Sequence, residues 1–108
     1  MDRGVDVDSR TNDGWTPLHS ASRWCQYAIA EELLSRGADI NAQTKGMLTA
    51  LHLASSDTQK DSEETLKVLL KHPKVDLTLT NKLGETAHTV AKRCSKFASL
   101  FDPYLIKT

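Results

Sequence analysis

At 108 residues the chain has room for one small domain. Its 39% apolar and 26% charged content suits a folded chain and argues against disorder. The formal net charge is zero, which disfavours broad electrostatic capture of nucleic acid or of an anionic membrane, since both need a basic excess.

Asn12-Asp13-Gly14-Trp15 is turn chemistry, with Gly14 suited to the positive φ of a tight turn. Thr16 is placed to N-cap a helix and Pro17 to occupy its first position, where the missing N–H costs nothing. Leu18 and Ala21 then share one face of that helix. Trp24-Cys25-Gln26 breaks the pattern. A second helix follows, with Ile29, Leu33 and Leu34 as its apolar stripe and Gly37 just past its end.

The next turn, Lys45-Gly46-Met47-Leu48, puts its glycine one residue early and Met47 where a glycine is expected, which predicts a re-shaped tip. Thr49-Ala50-Leu51-His52-Leu53-Ala54 opens another helix. The polar run Ser55–Ser62 has no apolar periodicity and reads as an enlarged loop. Asp61 and Glu64 have the spacing of a capping box. Leu66, Leu69 and Leu70 are core candidates, and His72-Pro73 stops the helix. A third turn, Asn81-Lys82-Leu83-Gly84-Glu85, leads into Thr86–Ala91. Phe97, Leu100 and Phe101 are suited to close the last layer. The tail Asp102–Thr108 either packs back on that layer or forms an exposed binding peptide.

These segments repeat. Thr16-Pro17-Leu18-His19 and Thr49-Ala50-Leu51-His52 lie 33 residues apart. Asp6, Asp39 and Asp76 each stand ten residues before Thr16, Thr49 and Thr86. Constant spacing over three copies marks a stacked repeat, and the pattern resembles the ankyrin repeat family. The resemblance covers nearly the whole chain. It implies an all-α solenoid of stacked antiparallel helix pairs with projecting hairpin-like turns, in a single domain over 1–108. Residues 1–11 would be the tail of a preceding repeat and 12–44 a full repeat. Residues 45–80 would form a longer repeat with an enlarged inter-helix loop, and 81–108 a C-terminal capping repeat and tail. Gly4-Val5-Asp6-Val7-Asp8 then reads as the end of a repeat whose helices are absent: either a fragment of a longer array or an unusual N-terminal cap.

Little in the sequence suggests chemistry. By the resemblance, His19 and His52 bond neighbouring backbone and tie adjacent turns together. His72 ends a helix, and His88 reads as a surface residue. Cys25 and Cys94 lack metal-ligand spacing, so no metal or other cofactor is expected, and the thiols read as reduced, in cytoplasm or nucleus. Adjacent carboxylates such as Glu31-Glu32 and Glu63-Glu64 suit solvated helix faces better than an acid/base pair. No apolar run nears the ~18 residues of a membrane span. The expectation is a non-enzymatic module that binds a protein partner, without direct contact to nucleic acid, membrane or metal.

The family binds through its hairpin tips and the exposed side of each first helix. Carried over by position, that strip is Arg10, Asn12, Asp13, Trp15, Arg23 and Trp24 in the first unit. In the second it is Gln43, Lys45, Leu48, Ser56 and Asp57, and in the last Lys82, Leu83, Glu85 and Arg93. Trp15 and Trp24 are the only two tryptophans, and tryptophan and arginine dominate interface hot spots. Arg10 or Arg23 could flank either ring. Trp24 could instead fold over its own repeat, covering the gap left by a missing glycine. Adaptor or scaffold is the function expected. The alternatives are a transcription regulator acting through a protein partner and a targeting module of a larger enzyme.

Overall fold

Among the described residues six short helices and one 3-10 turn follow one another, and helices two apart in the chain pack side by side. In a computed structural model, residues 9–56, 61–94 and 97–105 are described. The elements are α1 (Pro17–Arg23), α2 (Tyr27–Ser35), α3 (Ala50–Ser55), α4 (Ser62–Leu70), α5 (Ala87–Cys94), a 3-10 turn at Ala98–Phe101, and α6 (Asp102–Leu105). α1 stacks on α3 and α3 on α5, while α2 stacks on α4. Each first helix also packs against the second helix of its own repeat, as α1 does with α2 and α3 with α4. Helices α1 and α3 are too short to be stable alone, so the stacking carries them.

The core runs along the stack. Leu18, Ala21, Leu51 and Ala54 supply the inner helices, and Leu66, Leu69 and Leu70 supply α4. Phe101, fully buried, caps the C-terminal end. The second helix departs from expectation at Ile29, which is half exposed, while the fully buried Ala30 takes the core position beside Leu33. One step along a helix turns a side chain by about 100°, and the close contact with α1 admits the small residue.

Both α1 and α3 open on a complete capping box, with Thr16 paired to His19 and Thr49 to His52. The box expected at Asp61 does not form. Asp61 sits at the N-cap position of α4 but has helical backbone angles and makes no side-chain cap. An N-cap carboxylate reaches back only from extended backbone. The Asp61 carbonyl instead accepts from both the backbone N–H and the hydroxyl of Thr65. The rest of the enlarged loop, residues 57–60, lies outside the described residues, as do the stub at 4–8 and the end of the tail at 106–108.

The three turns share one hydrogen-bond pattern. Thr11 donates to Trp15 O and Gly14 to Thr11 O; Thr44 donates to Leu48 O and Met47 to Thr44 O; Asn81 donates to Glu85 O and Gly84 to Asn81 O. The second tip is therefore not re-shaped. Met47 takes the left-handed conformation itself, at φ 65°, where Gly14 and Gly84 have φ 81° and 78°. The recurring aspartates also have a physical role. The Asp39 carboxylate accepts from the Asn41 N–H at 2.9 Å, and Asp76 accepts from the Thr78 N–H at 2.9 Å. These are Asx turns that aim the chain into the next finger.

Candidate functional site

The fingers are held in register by side chains that reach from one repeat to the next. The Nδ1 of His19 accepts from the Thr16 N–H at 2.9 Å, which leaves the proton on Nε2. That Nε2 donates to Ala42 O at 3.0 Å and Leu48 O at 2.9 Å, in the next finger. His52 repeats the arrangement, accepting from the Thr49 N–H and donating to Glu85 O at 2.9 Å. Burial pushes both imidazole pKa values down, against the raising effect of the carbonyls they meet, and holds them neutral.

The third repeat has Thr89 at the equivalent position, and its N–H donates to the Thr86 hydroxyl without reaching onward. His88, read from the sequence as a surface residue, is half-buried with its ring centroid 5.2 Å from that of Phe101. It occupies the place of Leu18 and Leu51, on the first helix of the third repeat, α5. His72 lies beyond α4, and its ring accepts the Lys74 N–H rather than meeting helix carbonyls.

Several residues of the expected strip serve this scaffold. Arg10 donates to Gly14 O at 3.2 Å and to Gln43 O at 2.8 Å, so its guanidinium links two fingers and does not flank a tryptophan. The Gln43 amide donates to Met47 O at 3.0 Å and Thr80 O at 3.1 Å, joining the second finger to the third. Lys45 donates its backbone N–H to Asp13 O, and the Leu48 carbonyl is taken by His19. Glu85 and Arg93 form a two-pronged pair, at 2.7 and 3.1 Å. The amide of Asn81 and then the guanidinium of Arg93 hold the Glu85 carboxyl below its usual range.

The remainder of the strip faces outward. Asn12, Asp13, Lys45, Lys82 and Leu83 are exposed at the tips, with Leu83 the most exposed large apolar residue described, at 79%. Trp15 is half-buried, its ring centroid 6.0 Å from that of His19. Trp24 is 60% exposed, with the Arg23 guanidinium 4.7 Å from its ring centroid. Trp24 does not fill the gap of a missing glycine; the buried Cys25 spans that turn itself, at φ 56°. Ser56 is exposed at the end of α3, and Asp57 lies outside the described residues. A shallow groove of about 560 Å³ runs between the first two fingertips, lined by Arg10, Asn12, Gly14, Gln43 and Lys45.

The residue that sequence reasoning left out is Met47. In the sequence it reads only as a departure from the turn pattern, yet Met47 is 42% exposed at the second tip. An apolar residue where the turn calls for glycine was the available signal.

Among the described residues no group of three or more His, Cys, Asp or Glu is placed to hold a metal ion. No helix among them is long and apolar enough to cross a membrane. Stacked helix pairs joined by three matching fingers define a helical-repeat domain. A family model for the ankyrin repeat matches residues 13–45 and again 48–82, and the chain belongs to that family. Domains of this family are generally protein–protein interaction modules and are typically not enzymes. No curated protein matches the chain.

Proposed function

We propose that this domain is an adaptor or scaffold that docks a protein partner, in cytoplasm or nucleus, along its fingertips and the exposed face of α1. The observation that carries the reading is the Arg23–Trp24 pair: an indole 60% exposed at the end of α1, with a guanidinium stacked 4.7 Å from its ring centroid. A large rigid ring held beside a cation is the type of group that concentrates binding energy at interfaces. Ser20 is exposed one turn before it on the same helix and leaves room for a partner to approach. The fingers are braced by backbone-directed bonds from Arg10, His19, Gln43 and His52, so little ordering entropy would be lost on docking.

The test is affinity capture from cell lysate by the wild type beside the Trp15→Ala, Trp24→Ala double variant, with circular dichroism to verify folding. A protein retained by the wild type and lost by the folded variant is the expected result. Capture unaffected by the substitutions would remove α1 from the docking surface.

A further inference from the structure

The second fingertip carries an exposed apolar side chain in a strained turn that already contains a glycine. Gly14 and Gly84 fill the left-handed position in the other two fingers. In the second finger Met47 fills it, at φ 65°, although Gly46 stands next to it. A side chain in that conformation is disfavoured, because its Cβ crowds the carbonyl that follows. The turn is held regardless. The Thr44 hydroxyl accepts from the Gly46 and Leu48 N–H groups at 3.1 and 3.2 Å, and the Gln43 amide clamps the Met47 carbonyl. The strain does not serve the core, because Met47 is 42% exposed and lies outside the buried cluster. Strain that surrounding bonds hold in place, at a position outside the core, points to function.

The neighbouring tip has the same character. Leu83 is exposed beside Met47's finger, and Gln43 joins the two fingers through Met47 O and Thr80 O. A lysine flanks each apolar residue: Lys45 and Lys82 are exposed, and neither takes part in an ion pair among the described residues. Along the fingers Arg10, Lys45 and Lys82 outnumber Asp13 and Glu85 by one charge, on a chain whose formal net charge is zero, and Arg93 of α5 adds a second positive charge beside Glu85. Glu85 is neutralised locally by Arg93, so Lys82 sets the field at the third tip, while Lys45 at the second lies next to Asp13 of the first finger without an ion pair to it among the described residues.

We infer that the second and third fingertips, through Lys45, Met47, Lys82 and Leu83, take an acidic protein segment that also presents apolar side chains. The inference rests on the reading above that the fingertips belong to the docking surface, and it adds the chemistry of the partner. Carboxylates on the segment meet the two lysines, while an apolar side chain covers Met47 and Leu83. The thioether of Met47 adapts to differing apolar shapes, which suits recognition of a segment rather than of one rigid surface. Phosphate-rich nucleic acid would satisfy the lysines and leave Met47 and Leu83 exposed to water, so it fits less well.

The test is a selection from a randomised dodecapeptide display library on the immobilised domain. Binding of the enriched peptides is then measured to the wild type, Met47→Gly, Lys45→Glu/Lys82→Glu and Trp15→Ala/Trp24→Ala. The expected consensus is rich in Asp or Glu together with Leu, Met or Phe. Lys45→Glu/Lys82→Glu should weaken it by at least about tenfold and Met47→Gly by about fivefold, within the range of interface side chains. Met47→Gly should at the same time raise the melting temperature, so weakened binding by a more stable protein could not be a folding defect. Failure to enrich any peptide, a consensus without acidic residues, or peptides insensitive to both fingertip variants would overturn the inference. Tighter binding of a fluorescein-labelled single-stranded oligonucleotide than of the selected peptides would also overturn it. Peptides lost only with Trp15→Ala/Trp24→Ala would overturn it while leaving the α1 docking surface standing.

Discussion

The Nε2 of His19 donates to the Leu48 carbonyl at 2.9 Å, so the first helix of one repeat grips the finger of the next. His52 does the same to Glu85. Each imidazole also caps its own helix through Thr16 or Thr49. One side chain thereby secures a helix start and an inter-repeat joint together. The chain of joints stops at Thr89, in the repeat whose end is covered by Phe101 and its 3-10 turn.

Removing one joint should be costly. His52→Ala leaves the Thr49 N–H without its partner and takes from the Glu85 carbonyl one of its two donors, the other being the Asn81 N–H, and about 2 kcal/mol of stability should be lost. Urea unfolding of variant and wild type checks this. A shift of less than a few tenths of a kcal/mol would show that water replaces the imidazole without penalty.

The joints are also sensitive to acid. Both imidazoles have folded-state pKa values below the ordinary 6.5, because burial disfavours the charged ring. Their contribution is therefore complete above pH 6.5 and is lost as the pH falls from there through the folded-state values. Protonation would also remove the Nδ1 lone pair that accepts from Thr16 and Thr49. Unfolding midpoints measured from neutral pH down to about pH 5 should fall. The His19→Gln, His52→Gln double variant should show a shallower fall. An equal slope in both proteins would assign the acid sensitivity elsewhere.

Met47→Gly should stabilise the fold by about 1 kcal/mol, by relieving the left-handed backbone without removing a buried contact. A loss of stability would mean that the Met47 side chain packs in solution more than its exposure indicates.

Two glycines in equivalent turns should respond differently to alanine. Both have positive φ, but a Cβ on Gly84 meets open space, whereas one on Gly14 comes within 3.0 Å of the Lys45 backbone nitrogen. Gly84→Ala should cost only the conformational penalty of about 1 kcal/mol. Gly14→Ala should cost more, since the neighbouring finger must move. Thermal melts of the two variants decide this, and equal shifts would show that the second finger yields freely.

Core and surface substitutions should separate in the same way. Leu51→Ala removes a buried side chain and should cost about 2–5 kcal/mol. Trp24→Ala should change stability little, because its ring lies outside the core. Trp15 is the less clean probe, being half-buried against His19. Comparable destabilisation by Trp24→Ala and Leu51→Ala would return Trp24 to a packing role.

The repeat architecture was legible in the residues because its signals are local and recur. Thr16 with Pro17, the spacing of Leu18 and Ala21, and Gly37 past a helix end each follow from backbone chemistry within one turn. Recurrence at constant spacing fixed how the units correspond, and the family resemblance it carries implied the structural place of His19 and His52. What only the tertiary structure decided depends on residues that meet across repeats or on the handedness of one turn. Arg10 and Gln43 look like free surface donors in the sequence, yet they are occupied by the carbonyls of a neighbouring finger. Met47 looks like a disrupted turn, yet hydrogen bonds from Thr44 and Gln43 impose the same backbone that glycine adopts in the other fingers. His88 looks like a surface residue, and becomes half-buried because Phe101 returns from further along the chain to cover it. The physical reason is common to all three: local propensity reports on the backbone nearby, whereas the occupancy of a side chain depends on which distant group the stacking brings within reach.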